Sequence, residues 1–323
     1  MSSPPRPNPV RFPLLFLGIF TLLAALWAGM LRIGLTLPPL SPTLSGGHGP
    51  LMIAGFLGTV IGLERAVAMG RAWMFVAPAL AAAGGLLIIF GAPPAAGALS
   101  IALSSAALIL LFTQIVRLQP TLFNYVLTLA AVVWLVGNLF WLFGTPITQV
   151  VPAWAGCLVL TIAGERLELS RVMRIDRRGR ALFAVAVGVF VLGTVLSHAL
   201  FDVGSRVAGV GLAATGLWLL RYDIATRTVR RTGLTRFIAV CLLAGYAWLT
   251  IGGLMLAAFG GQVAGLLYDA ILHSIFLGFV FTVIFGHAPI IFPSVLGARM
   301  DYHPRFYTHL ALLHVSLLLR VAA

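Results

Sequence analysis

The sequence predicts an all-α polytopic membrane protein, on three observations. Apolar residues make up 60% of the 323-residue chain and charged residues only 9%, with a mean hydropathy of +1.05. Soluble domains carry about 25% charged residues, so a packed water-soluble fold is excluded. Uncharged apolar runs long enough to cross a bilayer recur from end to end. Finally, all 21 basic residues are arginines, and most fall in or beside the short stretches between those runs. The net charge of +13 therefore reads as membrane topology, not as a nucleic-acid surface.

Taken in order, the apolar runs predict eleven helices, at 13–36, 49–69, 72–91, 96–117, 121–143, 150–169, 181–201, 205–221, 236–259, 263–288 and 306–323. Residues 1–12 form a cytoplasmic N-terminal segment and 13–323 a single transmembrane domain. Helix one follows Arg6 and Arg11, but its apolar stretch exceeds that of a signal peptide, so it is retained. Helix two opens at His48 after Ser45-Gly46-Gly47 and ends at Glu64-Arg65; helix six ends at Glu165-Arg166. Helix seven ends at His198, and an arginine-rich loop, Arg221 to Arg236, separates helices eight and nine. Helix ten carries His273 and closes with His287-Ala288-Pro289-Ile290-Ile291-Phe292-Pro293, which predicts a kinked or broken end. Helix eleven carries His309 and His314, and its apolar run reaches Ala323, which leads us to expect a twelfth span.

Counting arginines fixes the orientation. With the N-terminus inside, 18 arginines face one side and only Arg32, Arg206 and Arg320 the other, which the positive-inside rule reads as N-terminus cytoplasmic. Helices two, six and ten share a further pattern: Gly58-Thr59-Val60-Ile61-Gly62-Leu63-Glu64, Leu160-Thr161-Ile162-Ala163-Gly164-Glu165 and Phe281-Thr282-Val283-Ile284-Phe285-Gly286-His287. They recur every fourth span. A true repeat implies three four-helix units around a pseudo-threefold axis.

Several chemistries are unsupported. Cys157 and Cys241 both lie within apolar spans, which argues against a disulfide framework or a paired-Cys zinc site. The chain has no glycine-rich dinucleotide or P-loop motif, no zinc-protease motif and no haem-attaching C-x-x-C-H.

Ionisable residues at membrane depth are costly and default to functional hypotheses. His48 and His273, on different helices near the outer face, are suited to be the two axial ligands of a haem. Gly46, Gly47, Gly49 and Gly278 would leave room for the macrocycle. Asp269, one turn before His273, would accept its other ring N–H and fix the tautomer. His273 and His287 are 14 residues apart, which on an α-helix puts them within roughly 40° of one face and about 21 Å apart. His287 and His309 would meet at the inner face and hold copper or another transition ion. Against this stands a plainer reading: histidines near helix ends are interfacial, which is the reading of His198 and His303 and the alternative for His48 and His273, while His314 is a hydrogen-bonded buried histidine. Glu64-Arg65 and Glu165-Arg166 read as structural ion pairs, or as carboxylates at a proton entry.

The stretch His48-Gly-Pro-Leu-Met-Ile-Ala-Gly-Phe-Leu, with Leu272-His273-Ser274, Gly286-His287 and Leu318-Leu319-Arg320-Val321, resembles the NnrS family. These are haem- and copper-containing membrane proteins of nitric oxide stress, distantly similar to the catalytic subunit of haem–copper oxidases. The resemblance covers about a fifth of the chain and implies a b-type haem at His48 and His273 and a metal at His287. Glycine follows His48 where the family pattern has an acidic residue, and the oxidases' histidine pairs are missing, so oxygen or nitric oxide reduction does not carry over. The sequence thus leads to a haem-binding protein of the bacterial inner membrane that takes a diatomic ligand such as nitric oxide or passes electrons. Two alternatives stand beside it: a proton-coupled secondary transporter and a cofactor-free scaffold or assembly factor.

Overall fold

A computed structural model describes residues 10–38, 40–173, 175–296 and 301–322, leaving aside the side chains of 294–296. Arg6, Arg174 and Arg299, counted above, and most of segment 1–12 lie outside these. Among the described residues every regular element is helical. Ten helices are long and apolar enough to span a membrane: α1 (Arg11–Arg32), α2 (Leu44–Met69), α3 (Ala72–Ile89), α4 (Pro94–Leu118), α5 (Leu122–Leu142), α6 (Ile147–Met173), α7 (Arg177–Leu196), α8 (Phe201–Tyr222), α9 (Gly233–Phe259) and α10 (Gly265–Pro293). A shorter apolar helix, α11 (Phe306–Ala322), follows. All eleven predicted helices are present, with ends shifted by a few residues.

Of the kinked or broken end expected of α10, the break is not found: the helical stretch that starts at Thr282 runs on past Pro289 and Pro293 to Leu296, three residues beyond the span. Each proline removes one backbone donor, and their four-residue spacing stacks both losses on one side of the helix.

The chain divides into two compact units, one running to Pro120 and resuming over Trp134–Ile147, the other comprising Thr121–Val133 and Thr148–Ala323. In the first, serines tie α4 to α3: Ser104 Oγ donates to the Ala77 carbonyl at 2.7 Å and Ser100 Oγ to that of Leu80 at 2.8 Å. Lipid gives helices no hydrophobic reason to associate, so such bonds and close small-residue contact hold them together. The second unit relies on the contact. Gly193, Gly204 and Gly211 put the α7 and α8 backbones against each other, and Gly209 and Gly253 do the same for α8 and α9. Asp176 starts α7 by accepting the Gly179 N–H at 2.8 Å, an N-cap.

Helices α2 and α10 share an irregularity. Each contains eight residues of wide, π-helical turn, Leu51–Gly58 and Ser274–Phe281. Such turns are rare and concentrate at functional positions. Each is followed by a fully buried threonine whose hydroxyl returns to a carbonyl in the wide segment: Thr59 to Gly55 at 2.6 Å, Thr282 to Leu277 at 3.2 Å. The fifth residue of each segment is a glycine, Gly55 and Gly278, nine residues before Glu64 and His287. In α6, Gly156 stands nine residues before Glu165. At each of these three glycines the neighbours come from the preceding and the following helix: Thr21 and Gly85, Val133 and Phe190, Trp248 and Leu317.

Candidate functional site

In the first unit, His48 begins the turn that leads into the wide segment of α2. Its Nδ1 is 2.8 Å from the carbonyl of Ala25 on α1. A carbonyl only accepts, so Nδ1 carries the proton and the ring lone pair belongs to Nε2. Gly29, one turn further along α1, makes room for the ring: a methyl group there would come within 2.9 Å of Nδ1. Of the glycines expected to leave space, Gly46 borders open space, whereas Gly47 is packed by Ile88 and Leu51.

In the second unit, His273 closes the α-helical first part of α10, immediately before the wide segment. Its Nδ1 donates to the Asp269 main-chain carbonyl at 2.8 Å and lies 3.2 Å from the Asp269 carboxylate. The expected acidic partner is therefore in place, although the main-chain oxygen is the nearer acceptor. Arg320 of α11 holds that carboxylate through both Nε and Nη2, giving a line of contact Arg320–Asp269–His273. Gly278 does not leave the room expected of it, because Trp248 and Leu317 pack into the space a side chain would take. Beside His273, Ile271, Leu272 and Ile275 help line an apolar cavity of about 40 Å³ that also touches Pro152, Phe201 and Leu256.

His287 repeats the motif, its Nδ1 donating to Val283 at 2.8 Å. The α-helical arithmetic that put His273 and His287 on one face does not apply, because the wide segment lies between them and each of its turns takes in an extra residue. His309 is edge-on to Phe285 at 4.7 Å between ring centres, with Phe237 and Phe306 each at 6.1 Å. Among the described residues no group of three or more His, Cys, Asp or Glu side chains gathers as a metal site. His314 differs from the others. Trp248 Nε1 donates to its Nδ1 at 3.0 Å and the rings lie parallel, 7° apart, so its proton is on Nε2 and Nδ1 is already used. His303 accepts the Arg305 N–H in an exposed turn. His198, between α7 and α8, has its pKa lowered by burial.

The most buried charges in the second unit are a pair that sequence reading missed. Arg166 donates from Nε to Asp223 at 2.8 Å and from Nη2 at 3.0 Å, with the two side chains 4% and 0% exposed. The expected partner of Arg166 was the adjacent Glu165. The true one is 57 residues away, where the Ala225 N–H also donates to it at 2.7 Å. Tyr246 is fully buried and interacts with both members of the pair, and His287 lies within electrostatic reach of Arg166, Glu165 and Asp223. The one available signal was compositional: Asp223 is the lone acid in a loop otherwise full of arginines.

These features define an all-α polytopic membrane protein in which two histidines, His48 and His273, stand just before wide-turn segments. The chain belongs to the family described as Domain of unknown function (DUF8744), which it matches over residues 11–323. No curated protein and no solved structure matches it.

Proposed function

We propose that the protein is a haem-binding protein of the bacterial inner membrane, with its N-terminus cytoplasmic, that serves in the response to nitric oxide or redox stress. The observation that carries this reading is the shared tautomer of His48 and His273. Each gives its Nδ1–H to a main-chain carbonyl, which leaves the ring lone pair on Nε2, the form of imidazole that ligates iron. The donor chemistry fits a b-type haem, which would supply an iron that binds a diatomic ligand or exchanges an electron. His48 and His273 would hold it. Gly29 admits the first ring, and Asp269, steadied by Arg320, orients the second. His287 has the same tautomer and with His309 would offer a copper ion two nitrogen ligands. The resemblance to the NnrS family supports the link to nitric oxide, and the excess of 18 arginines over 3 supports the orientation.

The test is an absorption spectrum of detergent-purified protein, oxidised and reduced, with iron and copper quantified on the same sample. A Soret band that is lost in His48→Ala and in His273→Ala is the expected result; variants that both keep the wild-type spectrum would overturn the assignment.

A second reading, proton-coupled transport, draws on the buried Arg166–Asp223 pair with Tyr246, Glu165 and His287 around it. It no longer has a broken α10 to rest on. Haem-free protein that moves a solute with protons into vesicles, and stops doing so as Glu165→Gln, would replace the first reading.

A further inference from the structure

The arginines after α6 are explained by topology only in part. Positive charge on one side of the membrane accounts for their number, but not for where two of them meet. Arg171, in the final turn of α6, and Arg180, in the first turns of α7, both line a cleft of about 360 Å³. The cleft is closed by the start of α5, through Thr121, Leu122 and Phe123, and by Ser170, Leu167 and Ile175. Arg171 lies over the Phe123 ring, 5.7 Å from its centre. The nearby carboxylate of Asp176 is occupied in capping α7.

Two hydroxyls in the cleft wall have no hydrogen-bond partner among the described residues. Ser170 is completely buried and its Oγ is unsatisfied; Thr121 Oγ1 is buried and also unsatisfied. A hydroxyl shut away from water without a partner costs about 1–3 kcal/mol, and two on the wall of one basic cleft mark a site built to receive acceptor oxygens. A phosphate presents several such oxygens and the negative charge that two guanidinium groups favour. The apolar part of the lining, Leu122, Leu167 and Ile175, suits the carbon portion of an ester. The cleft stands where three spans end, and basic pockets at the ends of transmembrane helices bind anionic headgroups.

We infer that this cleft is a binding site for a phosphate ester, with Arg171 and Arg180 pairing its charge and Ser170 and Thr121 donating hydrogen bonds to its oxygens. The ester is either an anionic lipid headgroup or a free phosphate compound. The site is independent of haem.

The experiment uses the full chain in phosphatidylcholine nanodiscs. One arm adds phosphatidylglycerol and counts retained molecules by native mass spectrometry; the other adds inorganic phosphate or glycerol 3-phosphate and follows the melting temperature. The variants are Arg171→Gln with Arg180→Gln, Ser170→Ala, and a charge-matched control, Arg71→Gln with Arg117→Gln. The double cleft variant is expected to bind roughly thirtyfold more weakly, from about one tenfold step or less per arginine, and the control to bind as wild type. A loss confined to the phosphatidylglycerol arm identifies a lipid, and a loss confined to the soluble arm a free ester. Equal affinity in wild type and double variant in both arms, or an equal loss in the control, overturns the proposal. Should the double variant fail to fold, Ser170→Ala decides, because it keeps the charge. About tenfold weaker binding is expected of it, and unchanged binding counts against the site.

Discussion

Arg320, in the last helix, grips the carboxylate of Asp269 with two of its nitrogens, and the same carboxylate faces the Nδ1 of His273 at 3.2 Å. Asp269 is about one-third exposed, so the ion pair contributes little to stability, about 0–1 kcal/mol. Its effect is on orientation, since it fixes the oxygen that a histidine ligand would lean on.

Asp269→Asn and Arg320→Gln are therefore expected to leave the melting temperature almost unchanged. On the haem reading, each lowers haem affinity by about 10–100-fold, as loss of a partner behind a ligating histidine does. The two changes combined are no worse than either alone, because they break one line of contact. Haem titration of the purified variants checks this, and wild-type affinity in Asp269→Asn would remove the orienting role.

Gly29→Val tests the first unit in the same way. A side chain on Gly29 meets the His48 ring and displaces it from the Ala25 carbonyl. The expected outcome is loss of haem with the protein still folded, whereas the same substitution at Gly188, which has nothing within 4 Å and lies in a regular helix, keeps the haem. Paired spectra and melting curves distinguish the two.

Asp223→Asn strands the Arg166 guanidinium, which is 4% exposed. An uncompensated buried charge costs about 3–5 kcal/mol. Replacing both partners with apolar residues, Arg166→Met with Asp223→Leu, is expected to recover only part of that loss, because the desolvation penalty disappears with the charges while the buried Ala225 N–H loses its acceptor. Reversible unfolding in detergent and denaturant measures it; a stable Asp223→Asn would show that the pair is dispensable.

Close helix contact in the second unit predicts a contrast within α7. At Gly193 an added methyl runs into the backbone of Ala208, whereas Gly188 has nothing within 4 Å. Gly193→Ala therefore costs at least about 1–3 kcal/mol as overpacking, while Gly188→Ala is neutral or slightly stabilising through helix propensity.

His198 predicts an acid limb. Burial lowers its pKa from 6.5, so below that pH the unfolded chain binds a proton that the folded one resists. Stability from this group is full above about pH 6.5 and is lost progressively as pH falls towards the depressed folded value. The group is partly exposed, so the effect is modest. Melting temperature against pH should fall less steeply below 6.5 in His198→Gln than in wild type; parallel curves would show that another group governs the limb.

The sequence by itself determined the number and order of the helices, because each span must bury its backbone polar groups internally and cover the lipid thickness with apolar side chains. Hydropathy records both requirements locally. It also marked His48, His273 and Asp269, since polar residues in apolar runs are conspicuous. Tertiary structure alone decided who partners whom. Asp223 meets Arg166 across 57 residues and Arg320 meets Asp269 across 51, and such pairings leave no periodic trace. It also decided that α2 and α10 widen by a turn beside their histidines, that Trp248 and Leu317 fill the space at Gly278, and that α10 runs on through Pro289 and Pro293. In each case the outcome depends on which neighbouring side chains and carbonyls surround the helix, and a single strand of sequence does not contain that information.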